Sequence, residues 1–148
     1  MSKIIQALLS GMFFTFILDF FIFLGIFENY IRKYEIDLYY NILFADNQSV
    51  SLFLLFSIFF GYITLYKSAR VSIIIIGFLS LLSLSTLIEP VGNSLGKLIL
   101  MQKETKVEMK RFSYRGDLLY NGRKNITFYD YKLDKILTLD KNKIISED

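Results

Sequence analysis

Three long stretches of this chain carry almost no charge. The first covers residues 4–27 and holds one ionisable side chain, Asp19. As a helix it reaches about 36 Å, enough to cross a hydrocarbon core of about 30 Å with some tilt. A cleaved signal peptide has a shorter apolar core, and Phe27-Glu28-Asn29-Tyr30 is a poor cleavage site. The stretch therefore reads as an anchor. Residues 49–66 and 71–88 follow, each 18 residues long and uncharged, about 27 Å as helix. Lys67-Ser68-Ala69-Arg70 joins them, which predicts a tight antiparallel helical hairpin. Too little polar sequence remains in so small a chain to cover three such helices in water.

The segments between and after the spans have a different pattern. Phe27, Ile31, Tyr34, Leu38 and Ile42 recur at helical spacing, with Glu28, Arg32, Glu35 and Asn41 turned away. This predicts a helix at the membrane interface over residues 28–48, its tyrosines at headgroup level. Residues 39–44 also fit a short strand. Glu89-Pro90 ends the third span, because proline has no amide proton and a fixed φ. Beyond it, Val91, Leu95, Leu98 and Met101 suit one face of a second interfacial segment over residues 91–101. Gly92 and Gly96 have the spacing of a small-residue helix contact, but with Asn93 between them they read as a flexible join.

After residue 101 the period changes to two. Val107 and Met109 alternate, and Phe112 and Tyr114 resume after a one-residue slip that suits a bulge. Gly116-Asp117 reads as a turn, and Asn121-Gly122 as a hairpin. Ile126, Phe128 and Asp130 then share one face of a return strand. Leu137 and Leu139 alternate, and residues 140–143 read as a last turn before Ile144-Ile145. The expected fold is an integral membrane α-helical protein with three transmembrane helices, the last two a tight hairpin. A small C-terminal all-β meander or barrel-like domain follows. The membrane domain covers residues 1–101 and the β-rich domain residues 102–148. A unit so small has few core positions, so it is expected to dock on something.

Charge reinforces this division. Up to residue 100 six bases balance six acids, and the whole net charge of +3 falls in the remainder. The chain has no histidine and no cysteine. That excludes a disulfide framework, thiolate or imidazole metal ligation, and triads built on His or Cys. No phosphate loop or dinucleotide fingerprint is present, so no cofactor is expected.

Asp19 is the most pointed candidate. It lies about 5 Å along the axis from the centre of the first span. A carboxylate there must face protein or water, or be protonated. Thr15, one turn earlier, is within reach of a hydrogen bond to it. The pair reads as a contact for a partner helix, an ion or proton group, or a tolerated acid facing the hairpin. Ser57 and Gly61 on the second span, with Gly77, Ser80 and Ser83 on the third, permit close packing, within the hairpin or between copies. Lys110, Arg111, Arg115, Arg123 and Lys124 give the tail a basic surface. Its acids nearly balance its bases, so anionic headgroups or an acidic protein suit it better than nucleic acid.

The expected function is a non-enzymatic accessory, scaffold or assembly subunit of a larger membrane complex. Its partners would be the bilayer and another membrane protein, or a second copy. The alternative is a small homo-oligomeric channel or transporter with Asp19 lining the path. Richness in Phe, Ile, Lys and Asn suggests a bacterial inner membrane. The short basic loop at Lys67 and Arg70 favours a cytoplasmic N-terminus and an extracytoplasmic β-domain.

Overall fold

A computed structural model describes residues 2–109 and 112–147. Five helices precede a five-stranded sheet. Helix α1 covers Lys3–Ile26 and continues through a π-helical turn, Phe27–Ile31. Its start is capped by Ser2, whose hydroxyl accepts from the Ile5 amide at 3.3 Å. The widened turn is closed by the Arg32 amide, which donates to the Phe27 carbonyl at 3.0 Å. Glu35 (φ 53°) then reverses the chain. Helices α2 (Tyr40–Asn47), α3 (Val50–Tyr66), α4 (Ala69–Ser85) and α5 (Glu89–Leu100) follow, with Pro90 in the first turn of α5.

Of the three expected spans, one is a helix long and apolar enough to cross a membrane, Lys3–Ile31. The other two are bent pairs of shorter helices. α2 meets α3 at 84°, and α4 meets α5 at 87°. The single interfacial helix expected over residues 28–48 is instead the end of α1, a turn, an extended link and the short helix α2. Gly92 and Gly96, read as a flexible join, are buried within α5. A Cβ on Gly92 would lie 2.3 Å from the Thr86 carbonyl oxygen, and one on Gly96 2.4 Å from the Tyr30 ring. The small-residue spacing therefore works inside the chain, letting α5 approach α1 and the end of α4.

The strands are β1 (Gln102–Met109), β2 (Ser113–Asn121), β3 (Asn125–Asp130), β4 (Lys135–Asp140) and β5 (Ile144–Glu147). They form a curled antiparallel half-barrel in the order β4-β3-β2-β1-β5. In place of the expected bulge before Phe112, the chain reverses. Met109 and Phe112 exchange backbone hydrogen bonds of 2.8 and 3.3 Å across positions 110–111, which lie outside the described residues. Gly116, read as a turn, sits in mid-strand opposite Asp130. The Tyr129 carbonyl comes so close that a Cβ there would lie 1.7 Å from it.

A register shift between Leu118 and Tyr120 divides the work of β2. Leu118 packs into the sheet's own core with Val107, Ile126, Phe128 and Leu139. Leu119 and Tyr120 turn to the helices and join a second core with Phe23, Ile26, Tyr30, Ile31 and Leu43. Such a shift re-aims side chains that strict alternation would send to opposite faces. The helical and β parts thus share one core.

Candidate functional site: the groove beside Asp19

α1 and α3 run antiparallel in close contact along a seam of small residues. Gly11 and Thr15 of α1 meet Ser57 and Gly61 of α3. A Cβ on Gly11 would stand 1.7 Å from the Ser57 carbonyl oxygen, and one on Gly61 2.2 Å from that of Ala7. The Ser57–Gly61 pair therefore packs against α1 and not along the hairpin with α4.

α4 is held at its two ends. Near its start the Ser72 hydroxyl donates to the Ile63 carbonyl at 2.8 Å. At its end Ser83 donates to the Leu18 carbonyl at 2.8 Å, and Thr86 to that of Phe21 at 3.0 Å. The Asn29 side-chain amide also donates a hydrogen bond of 3.0 Å to the Thr86 carbonyl. Between these ties α4 stands away from α3. Ser80 is half-buried, and Gly77 faces open space, with nothing within 4 Å of a Cβ placed there.

The splay leaves a groove of about 780 Å³. Its floor is α1 from Thr15 to Ile22, its sides carry Phe56 and Phe60 of α3 and Leu79 and Leu82 of α4, and one face of α5 crosses it with Leu95 and Leu98. Asp19 lies on the floor, half-buried, and Gln48 donates its side-chain amide to the carboxylate at 3.0 Å. The expected Thr15–Asp19 bond does not form, because Thr15 donates to the Gly11 carbonyl at 2.9 Å. Gln48 was missed by sequence reasoning. Its residue type at the α2–α3 corner gives no local signal of a partner 29 positions away.

The hydroxyls around the groove share one property. Thr15, Ser83, Ser85, Thr86 and Ser94 all line it, and each donates its proton to a backbone carbonyl. With their protons taken, these hydroxyls have only acceptor capacity left to offer a ligand. The α5 amides at its edge are also engaged. Pro90 has none, and those of Val91 and Gly92 donate to the Ile88 carbonyl at 3.0 Å. Among the described residues no Lys or Arg lines the groove.

The basic tail divides differently from expectation. Lys110 and Arg111 lie outside the described residues. Arg115 and Lys124 are exposed. Arg123 is an intramolecular contact. Its guanidinium grips Asp46 of α2 with both Nε and Nη2, the Nε contacts measuring 2.9 and 3.0 Å. This holds the Asp46 carboxyl below the usual carboxylate range. Lys33 pairs with Glu89 at 2.7 Å and lowers its carboxyl in the same way. Among the described residues no group of three or more acids is placed to hold a metal ion. No known protein family, curated protein or solved structure matches this chain.

Proposed function

We propose that the chain is a non-enzymatic membrane scaffold, an accessory subunit that fixes a small β-domain at one face of a bilayer for a larger complex. The observation that carries this reading is the shared core. Leu119 and Tyr120 of the sheet are buried among Phe23, Ile26, Tyr30 and Leu43 of the helices, so the β-domain is clamped to them. A clamped domain suits presentation to a partner.

The exposed apolar side chains support three crossings by α1, α3 and α4. On α1 the large exposed ones are Ile4, Ile5, Leu8, Leu9, Phe13, Phe16 and Phe20, and none lies beyond Phe20. Past that point α1 is covered by α2, α5 and the sheet. α3 and α4, about 25 Å each, are exposed along their whole length. The bilayer boundary then falls near Asp19 and Phe20, with α2 and α5 lying along it. The carboxylate sits at headgroup level, where its cost is far below that at mid-bilayer.

The same placement gathers Lys3, Lys67 and Arg70 at one end, with no acid beside them in sequence. At the other end Arg32, Lys33 and Arg123 are each paired with an acid. Basic residues in short loops favour the cytoplasm, and the four-residue loop with Lys67 and Arg70 is the shortest, which supports a β-domain on the outside. The composition supports a bacterial inner membrane. The groove's hydroxyls donate to backbone carbonyls and none donates to Asp19, which supports a role by contact.

Tagged protein extracted in mild detergent should run as a particle containing a second polypeptide. Arg123→Glu, which reverses the charge facing Asp46, should release that polypeptide while the chain stays in the membrane. A pure homo-oligomer with Asp19-dependent ion conductance would overturn the scaffold reading in favour of a channel.

A further inference from the structure

We propose that the groove beside Asp19 binds one membrane lipid whose headgroup ends in a primary ammonium. The inference rests on the membrane placement above and adds a ligand to it. Its observation is the polar inventory of the groove. Thr15, Ser83, Ser85, Thr86 and Ser94 each spend their proton on a backbone carbonyl, and Asp19 contributes a carboxylate. The lining hydroxyls therefore accept hydrogen bonds and have none to give, and among the described residues no side chain there carries a positive charge. The complement is a cation rich in donors. A primary ammonium has three N–H groups, and its bonds to a carboxylate are among the stronger hydrogen bonds proteins make.

The remainder of the surface selects an amphiphile. The walls are Phe and Leu side chains, and a volume of about 780 Å³ falls within the range of small-molecule sites, about 300–1,000 Å³. From Thr15 to Ile22 the floor runs only about 10 Å along α1. α5 crosses the groove at 87° to α4. A partner's spanning helix would meet α5 instead of passing it, whereas a flexible acyl chain enters sideways beneath it. The ammonium then reaches Asp19 at the boundary and the phosphate stays in the headgroup layer. An anionic lipid without an amine would meet a carboxylate and a ring of acceptors, which disfavours it.

The full chain is reconstituted in vesicles of equal phosphatidylethanolamine and phosphatidylglycerol, extracted in mild detergent, and its retained lipid identified by native mass spectrometry. One lipid per chain is expected, with the amine lipid favoured about tenfold, the worth of one charge-assisted hydrogen bond. Asp19→Asn keeps an acceptor for Gln48 and removes the charge, so the preference should fall to that of the vesicle. Leu79→Trp fills the groove and should abolish retention at unchanged helix content. Phosphatidylcholine, whose quaternary ammonium has no N–H to donate, should compete less well than phosphatidylethanolamine. Equal retention of the two lipids by the unaltered chain would overturn the proposal. So would a preference unchanged in Asp19→Asn, or a polypeptide cross-linked through a photoreactive residue at position 79. Depth labelling of α1 reads the membrane placement separately, so failure of the one is distinguishable from failure of the other.

Discussion

The Tyr30 hydroxyl donates to the Leu119 carbonyl oxygen at 2.7 Å, in a buried contact between residues 89 positions apart. It is the polar centre of the joint between helices and sheet. Tyr30 comes from the π-helical turn and Leu119 from the register shift in β2, so two local irregularities meet. Tyr30→Phe keeps the ring packed on Gly96 and removes the donor. Leaving a buried carbonyl one bond short costs about 1–3 kcal/mol. The expected result is a lower melting temperature in detergent and faster protease release of the β-domain, with α-helix content retained. An unchanged digestion rate would refute the joint.

The seam between α1 and α3 makes opposite predictions for two glycines. Gly61→Ala would place its Cβ 2.2 Å from the Ala7 carbonyl oxygen, a backbone atom that yields only if the helices separate. Overpacking of this kind costs about 1–3 kcal/mol. Gly77→Ala meets nothing within 4 Å and gains helix propensity, so stability should hold or rise by up to about 1 kcal/mol. Thermal unfolding of both variants in the same detergent checks the contrast.

Acid should loosen the clamp, and the sign follows from the carboxylates. Asp46 and Glu89 have pKa values held down by Arg123 and Lys33. Their contribution is fully present above the ordinary carboxylate range, about 4, and is lost as pH falls through the lowered values. Lys33 and Arg123 are raised by the same pairs, so their share is complete at neutral pH and is lost only in strong alkali. The protection of the sheet amides against hydrogen exchange, taken relative to the intrinsic rate at each pH, should be flat across neutral pH and fall below about pH 4. Arg123→Gln should raise exchange at neutral pH and weaken the acid response.

Some of this architecture is legible in local sequence, and the rest depends on distant residues. The uncharged runs give α1, α3 and α4, and Pro90 gives the break before α5, because helix length and a missing amide are local facts. Leu137 and Leu139 reveal β4 by alternation. Gly116-Asp117 misleads because its glycine answers to Tyr129, a neighbour only in the folded sheet. Residues 21–27 read as lipid-facing although they are covered, since hydropathy cannot separate a lipid-exposed helix from one buried in protein. At the groove Asp19 stands out as a lone charge. Gln48, α5 and the direction of each hydroxyl proton are fixed by packing.

The depth of α1 is the most direct test of the membrane placement, and a chain without cysteine is ready for it. If the boundary lies at Asp19 and Phe20, a cysteine at Leu9 or Phe13 faces lipid and one at Arg32 faces water. Leu9→Cys and Phe13→Cys should resist a water-soluble maleimide in intact vesicles, and Arg32→Cys should react from the side that holds the β-domain. Ser68→Cys, in the α3–α4 loop, should react only from the opposite side. A span running to residue 27 and centred near position 15 would bury Phe20 among acyl chains. A boundary at Asp19 puts it at the headgroups. A depth-sensitive fluorophore at position 20 therefore separates the two, and deep quenching there would place Asp19 inside the bilayer.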